Sequence, residues 1–169
     1  LELTMERYFS GGFYFLTTGS LFEAKYQGSD GVVRNNTFNG RYALNTIAAK
    51  EFKVGKNASF NIGTKFTTIG GRWFGPVDHV ESEKTLEVQY LSATANTKQY
   101  RAYKRFDLKL GYNWNYPKTS WEFALDLSNL TGEKNILQLT YVADHPSGNP
   151  VQEEYQLGLF PVFYLKCDF

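Results

Sequence analysis

Histidine, cysteine and paired carboxylates are the residues from which most catalytic and metal sites are built, and this chain holds few of them. Its two histidines are His79 and His145, and it has a single cysteine, Cys167. One cysteine forms neither an internal disulfide nor a thiolate metal cluster. His79 has Asp78, Glu81 and Glu83 near it in sequence, and His145 follows Asp144. A metal site can be imagined there, but the spacing matches no zinc motif, and solvated loop residues are the simpler account. Glu153 and Glu154 are adjacent, so on a strand they point to opposite faces and cannot share an acid–base site. Glu122 and Asp126 do share a strand face, where the polar wall of a wet lumen explains them better. No nucleophile elbow or Ser/His/Asp arrangement can be assembled. Asn35, Asn57 and Asn129 each begin an N-glycosylation pattern, which we treat as chance. Gly70-Gly71 is a turn signal and not a phosphate cradle, because no helix pattern follows it. The expectation is no catalytic residue, no cofactor-binding residue and no metal.

The elements that would position any site are strands. Net charge is +1, which gives no long-range field for nucleic acid. Aromatic residues reach 17%, with 14 Phe and 12 Tyr, and 15 glycines punctuate the chain. No run approaches the roughly 18 apolar residues of a membrane helix. Period-two alternation is pervasive. Phe106, Leu108, Leu110, Tyr112 and Trp114 alternate with Arg105, Asp107, Lys109, Gly111 and Asn113. Trp121, Phe123, Leu125 and Leu127 alternate with Glu122, Ala124, Asp126 and Ser128. Near the end, Tyr155, Leu157, Leu159, Phe163, Leu165, Cys167 and Phe169 share one parity, with Cys167 on the apolar face as a small hydrophobe.

This patterning predicts seven strands, near 1–9, 13–26, 40–54, 57–70, 101–115, 119–142 and 152–169, the sixth bulged near Asn129-Leu130-Thr131-Gly132. Short turns at Ser10-Gly11-Gly12, Gly55-Lys56-Asn57 and Asn115-Tyr116-Pro117-Lys118 alternate with longer loops at 27–39, 71–100 and 143–151. Outer-membrane barrels are built this way, with short turns in the periplasm and long loops outside. With the last strand descending, all three short turns fall on the periplasmic side. The first strand then descends too, and an odd count of seven is expected of a piece cut from a longer barrel.

Alternation alone is equally compatible with a soluble barrel or sandwich. Three features favour the membrane. Aromatics gather at strand ends, with Phe9, Phe13, Tyr14 and Phe15 around one turn and Tyr112, Trp114, Tyr116 and Trp121 around another. Several strands exceed the typical 5–6 residues, and a crossing strand needs roughly 9–11. The polar faces mix both signs of charge with amides and hydroxyls, as a wet lumen would. The lipid-facing residues are then Phe106, Leu108, Leu110, Tyr112, Trp121, Phe123, Leu125 and Leu127. In the 71–100 loop, Trp73, Phe74, Tyr90 and Tyr100 are the candidate contacts for an extracellular ligand, or else simply pack that loop.

Four segments carry a resemblance. Tyr155-Gln156-Leu157-Gly158-Leu159-Phe160-Pro161-Val162-Phe163-Tyr164-Leu165-Lys166-Cys167-Asp168-Phe169 resembles the last strand of TonB-dependent receptors of Bacteroidetes-type bacteria. Arg105 to Tyr112 resembles a descending strand of that family, Trp121 to Thr131 the ascending strand that follows, and Leu3 to Phe15 an earlier hairpin. The resemblance spans nearly the whole chain in order. It implies an all-β, antiparallel up-and-down transmembrane β-barrel segment, about seven long strands of a barrel of about 22. Residues 1–169 would form a single partial domain lacking the family's N-terminal plug. The implied function is TonB-dependent uptake of an iron chelate, cobalamin, glycan or peptide across the bacterial outer membrane, without enzymatic activity. The implied partners are outer-membrane lipid, the extracellular nutrient, TonB through the absent N-terminal part, and the barrel-assembly machinery. The last would read Tyr155, Leu157, Leu159, Phe163, Leu165 and Phe169 as its signal. The loop at 71–100 is long for this position in the family. Two other readings stay open: a soluble β-barrel binding a small apolar ligand, and a structural or adhesive outer-membrane protein.

Overall fold

The computed structural model describes residues 1–169. In chain order the strands are β1 (Glu2–Ser10), β2 (Phe13–Leu21), β3 (Lys25–Gln27), β4 (Val33–Asn35), β5 (Tyr42–Val54), β6 (Ala58–Ile69) and β7 (Trp73–Phe74). A short helix α1 (His79–Thr85) and a 3-10 turn (Ser92–Thr94) precede β8 (Lys98–Gln99), β9 (Tyr103–Asn115), β10 (Ser120–Ser128), β11 (Ile136–Tyr141), β12 (Val151–Tyr155) and β13 (Phe160–Asp168). Seven of the strands form one antiparallel sheet in the order β1-β2-β5-β6-β9-β10-β13, a meander in which each strand pairs with the next one in the sheet. The remaining six form three two-stranded ribbons in the long connections.

Turn chemistry sets the short side. Gly11 and Gly12 have φ of 60° and 72°, the two positive values that a two-residue hairpin turn between right-twisted strands requires. Gly12 is also constrained by space, since a Cβ there would lie 2.7 Å from the Glu51 carbonyl oxygen. Gly55, at φ 68°, opens the three-residue turn between β5 and β6. All three short turns lie at one end of the sheet and all three long connections at the other, as the alternation of lengths predicts.

The register sorts the side chains into two faces. Directly opposed residues share a face, and the run Lys50↔Ile62, Ile62↔Leu110, Leu110↔Leu125 and Leu125↔Phe163 crosses five strands on one side. Phe106, Leu108, Tyr112, Trp114, Trp121, Phe123, Leu127 and Leu165 lie on that same side. The opposite side carries Glu6, Lys65, Arg105, Asp107, Lys109, Glu122, Asp126 and Lys166. Three cations share the apolar side's parity, Lys104 at the long-connection end of β9 and Lys50 and Arg7 at the turn end. Lys50 donates from Nζ to the Gly11 carbonyl at 2.8 Å, and the Arg7 guanidinium lies 5.4 Å from the Phe13 ring centre. Long side chains at an apolar rim turn their charge to the edge in this manner.

Only 11 of 169 residues are buried, and Ala124 is the one buried hydrophobic. Within the seven-stranded sheet the buried residues are Thr67, Gly111 and Ala124, all on the polar side. No residue of the apolar side is buried: Phe106, Leu108, Leu110, Leu125 and Leu127 on the central strands are half-buried, and on the edge strand β13 Phe163 is 81% and Leu165 60% exposed. Small residues crowd the polar face at Gly63, Gly111 and Ala124, and bulky ones fan out on the apolar face.

Three predicted strands are shorter than the alternation suggests. The strand expected over 13–26 ends at Leu21, and Lys25–Gln27 belongs to the hairpin β3–β4. The strand expected over 119–142 is not one bulged strand. It stops at Ser128, turns through Asn129 (φ 52°) and Gly132 (φ 65°), and resumes as β11 in a separate ribbon. The strand expected over 152–169 divides into β12 and β13, with residues 156–159 between them. Tyr155 therefore pairs with Ile136 in the β11–β12 ribbon, Leu157 and Leu159 lie in the connector, and Phe163, Leu165 and Phe169 belong to or abut the final strand.

A candidate ligand cleft above the sheet

The long connections are tied down where they leave the sheet. Asn129 is almost fully buried. Its side chain donates to the carbonyls of Glu133 (2.9 Å) and Leu157 (3.2 Å) and accepts from the Glu133 amide (3.1 Å). Its own amide donates to Asp107 at 2.8 Å, and Asp107 is held in turn by Arg105. Asn135 clips the start of β11 to β9, accepting from the Lys104 amide at 2.9 Å and donating to the Lys104 carbonyl at 2.7 Å. Asn39, fully buried, accepts from the Ala24 amide at 2.9 Å and so closes the first excursion at its base. Primary amides suit this work because each offers donors and acceptors together to backbone that has left its ladder.

The excursions are also fastened to one another. The Trp73 amide donates to the Thr37 carbonyl at 2.8 Å, the Trp73 indole donates to the Asn39 carbonyl at 2.7 Å, and Asn96 donates to the Asn35 carbonyl at 2.8 Å. The Arg101 guanidinium pairs with Glu153 at 3.1 Å and donates to the Lys134 carbonyl at 2.8 Å. Within residues 70–102, Asp78 caps α1 by accepting from the Glu81 amide at 3.1 Å, and the buried Ser82 hydroxyl accepts from the Gln89 amide at 2.9 Å. The long loop is thus a folded wall.

Between that wall and β11 lies a cleft of about 830 Å³, within the usual range for small-molecule sites. Its floor is aromatic. Phe74 stacks on Tyr100 with ring centres 4.1 Å apart and planes 13° from parallel, and meets Tyr90 edge-on at 6.3 Å. Burial, followed by the neighbouring Tyr90 phenol, pushes the Tyr100 phenol well above its usual value, so its proton is retained throughout the physiological range. Arg72 crosses one end. Its guanidinium lies 5.8 Å from the Tyr100 ring centre and donates to the carbonyls of Ile136 and Leu137. None of the seven ion pairs in the chain includes Arg72.

Of the four predicted loop aromatics, Phe74, Tyr90 and Tyr100 converge in this cleft. Trp73 borders it but turns its indole the other way, toward Asn39 and beneath Arg41, whose guanidinium is 5.4 Å from the ring. Strand alternation within β7 explains the split, since neighbouring side chains point to opposite sides. Sequence reading missed Arg72 and the β11 wall from Leu137 to Tyr141. The signal was Asn129 with Gly132, which the sequence reading takes as a bulge because the alternation resumes at Ile136, whereas this pair of left-handed positions ends the strand. His79 opens α1, and His145 contacts Ser147 at 2.7 Å. No three of the His, Cys, Asp and Glu side chains gather as metal ligands would.

Compared with known protein families, with curated proteins and with solved structures, the chain matches none.

Proposed function

We propose that this chain forms part of the wall and outer loops of a bacterial outer-membrane β-barrel receptor of the TonB-dependent kind, working in nutrient uptake without a catalytic step. The observation that carries the proposal is the open apolar face. A soluble chain of this size buries a core, whereas here an uncovered surface runs across the sheet, apolar on β9, β10 and β13 and interspersed with threonines on β2, β5 and β6, and every buried sheet residue lies on the opposite, polar side. A soluble barrel with a greasy interior requires the opposite asymmetry. Lipid covers such a face, and a wet lumen accounts for Glu122, Asp126, Lys109 and their neighbours opposite.

The dimensions agree. Phe106 and Trp114, at the two ends of the apolar side of β9, are eight residues apart. That is roughly 27 Å along the strand and roughly 20 Å after a tilt of about 40°, close to the ~25 Å apolar band of such barrels. Phe52 and Phe60 pair across strands at 6.4 Å at the turn end, where Trp114 packs 5.1 Å from Tyr116. Aromatic girdles belong at that level. In this reading the ribbons stand outside the cell and gather ligand, TonB acts through a part of the receptor N-terminal to this one, and the barrel-assembly machinery recognises the final strand.

Fractionation of the native source tests the proposal. The protein is expected in outer membranes, released by detergent and not by carbonate, as a species several times larger than 19.3 kDa. Recovery in the aqueous fraction at 19.3 kDa would overturn it in favour of a soluble barrel.

A further inference from the structure

We infer that the cleft takes an extended peptide, which adds as a strand to the open edge of β11 and sets its C-terminal carboxylate against Arg72. This rests on the receptor reading only in taking the cleft as its ligand-facing side.

The argument starts from the backbone. Five consecutive residues of β11, Leu137 to Tyr141, border the cleft. A strand that turned a face to the cleft would contribute every second residue, so it is the edge that faces in. The register says which groups are free. The Val142 amide donates to the Pro150 carbonyl at 2.7 Å, and the pairs Thr140↔Gln152 and Gln138↔Glu154 follow at alternate positions. In an antiparallel ladder those residues bond to β12, and the residues between them point their N–H and C=O away. Leu139 and Tyr141 therefore direct both backbone groups to the cleft side, and β11 has no second strand neighbour. The Leu137 carbonyl also points there, and it is the one that Arg72 engages.

This pattern prescribes the ligand. Alternating donors and acceptors at strand spacing are matched by another backbone, the mode by which peptides extend sheets. Direction follows from charge. A strand antiparallel to β11 ends beside Leu137, where Arg72 is half-buried without a carboxylate partner. A peptide C-terminus supplies that charge, and a guanidinium recognises a carboxylate geometrically. Alternate side chains of the peptide would then meet the Phe74 and Tyr100 rings.

The test uses the whole receptor in detergent, incubated with a randomised pentapeptide pool bearing free C-termini and with the same pool amidated; retained peptide is read by mass spectrometry. The free-acid pool should be retained about tenfold better, the worth of roughly one charge-assisted hydrogen bond. Arg72→Gln should abolish that preference. Leu139→Pro, which removes one cleft-facing N–H and leaves the β12 ladder intact, should lower retention of both pools. N-methylation of the peptide backbone should do the same with the receptor unaltered, so the test does not depend on a variant folding. Equal retention of free-acid and amidated pools, or indifference to N-methylation, would overturn the inference. So would retention of a malto-oligosaccharide with no peptide retained. Each of those results leaves the membrane reading standing, because that reading depends on where the protein fractionates.

Discussion

Asn129 illustrates how much a single amide does where a strand gives way to a loop. It holds a left-handed φ of 52° and bonds to two segments beyond its own strand end. Asn129→Gly keeps the backbone conformation at no steric cost but loses the side-chain bonds, and should cost about 1–3 kcal/mol. Asn129→Ala loses both and should cost about 1 kcal/mol more. Equilibrium unfolding in lipid measures the difference, and the order of the two variants is the informative result. Tyr100 provides a second check. Its phenol is raised by burial and by Tyr90, so the neutral form is favoured in the folded state. Stability from this group is complete below the ordinary tyrosine value near 10 and falls as pH rises beyond it. Ultraviolet titration of the native protein minus its Tyr100→Phe variant should show a tyrosine ionising later than the exposed ones.

At the scale of elements, the long connections are fastened because the chain crosses itself closely and cross-links its ribbons. Gly40 and Gly70 meet backbone to backbone where the first excursion rejoins the sheet, and a Cβ on either would collide with the other's carbonyl. Gly70→Ala should therefore displace residues 70–102, lowering ligand retention in the cleft while the sheet still forms. Protease nicking of that segment would report the displacement. The hairpin β3–β4 is pinned by Asp30, whose carboxyl the Arg34 guanidinium holds at about 2, below the ordinary carboxylate value. A depressed carboxylate contributes above its unfolded value and is lost as pH falls through the folded one. The link should thus persist down to about pH 4 and fail toward pH 2, which the Asp30 carboxyl carbon shift would follow. These elements also show what the sequence can convey. Alternation in Arg105 to Trp114 revealed β9 almost to the residue, because one side of that strand is apolar throughout. It failed at Ile136 to Tyr141, where a ribbon standing clear of the sheet alternates just as a barrel strand does. The aromatic cluster of the cleft was legible from its residue types. Arg72 and the β11 edge were not, since their role depends on backbone groups and long-range placement that carry no local signature.

The whole molecule is built on a sheet with one apolar side and one polar side, and the proposed function depends on which side meets lipid. Leu125→Arg places a cation in the middle of the apolar face, between Leu110 and Phe163. On the proposed membrane reading, in which this face meets lipid, it should cost roughly 2–4 kcal/mol. Asp126→Arg, one residue on and facing the other way, should be tolerated far better. The most direct measurement of the central claim places a fluorescent cysteine adduct at Leu125 and, separately, at Asp126 in the membrane-embedded protein, with quenching by lipids brominated along their chains. The account predicts strong quenching at 125 and little at 126. Equal quenching at both positions, or quenching at 126 alone, would contradict it.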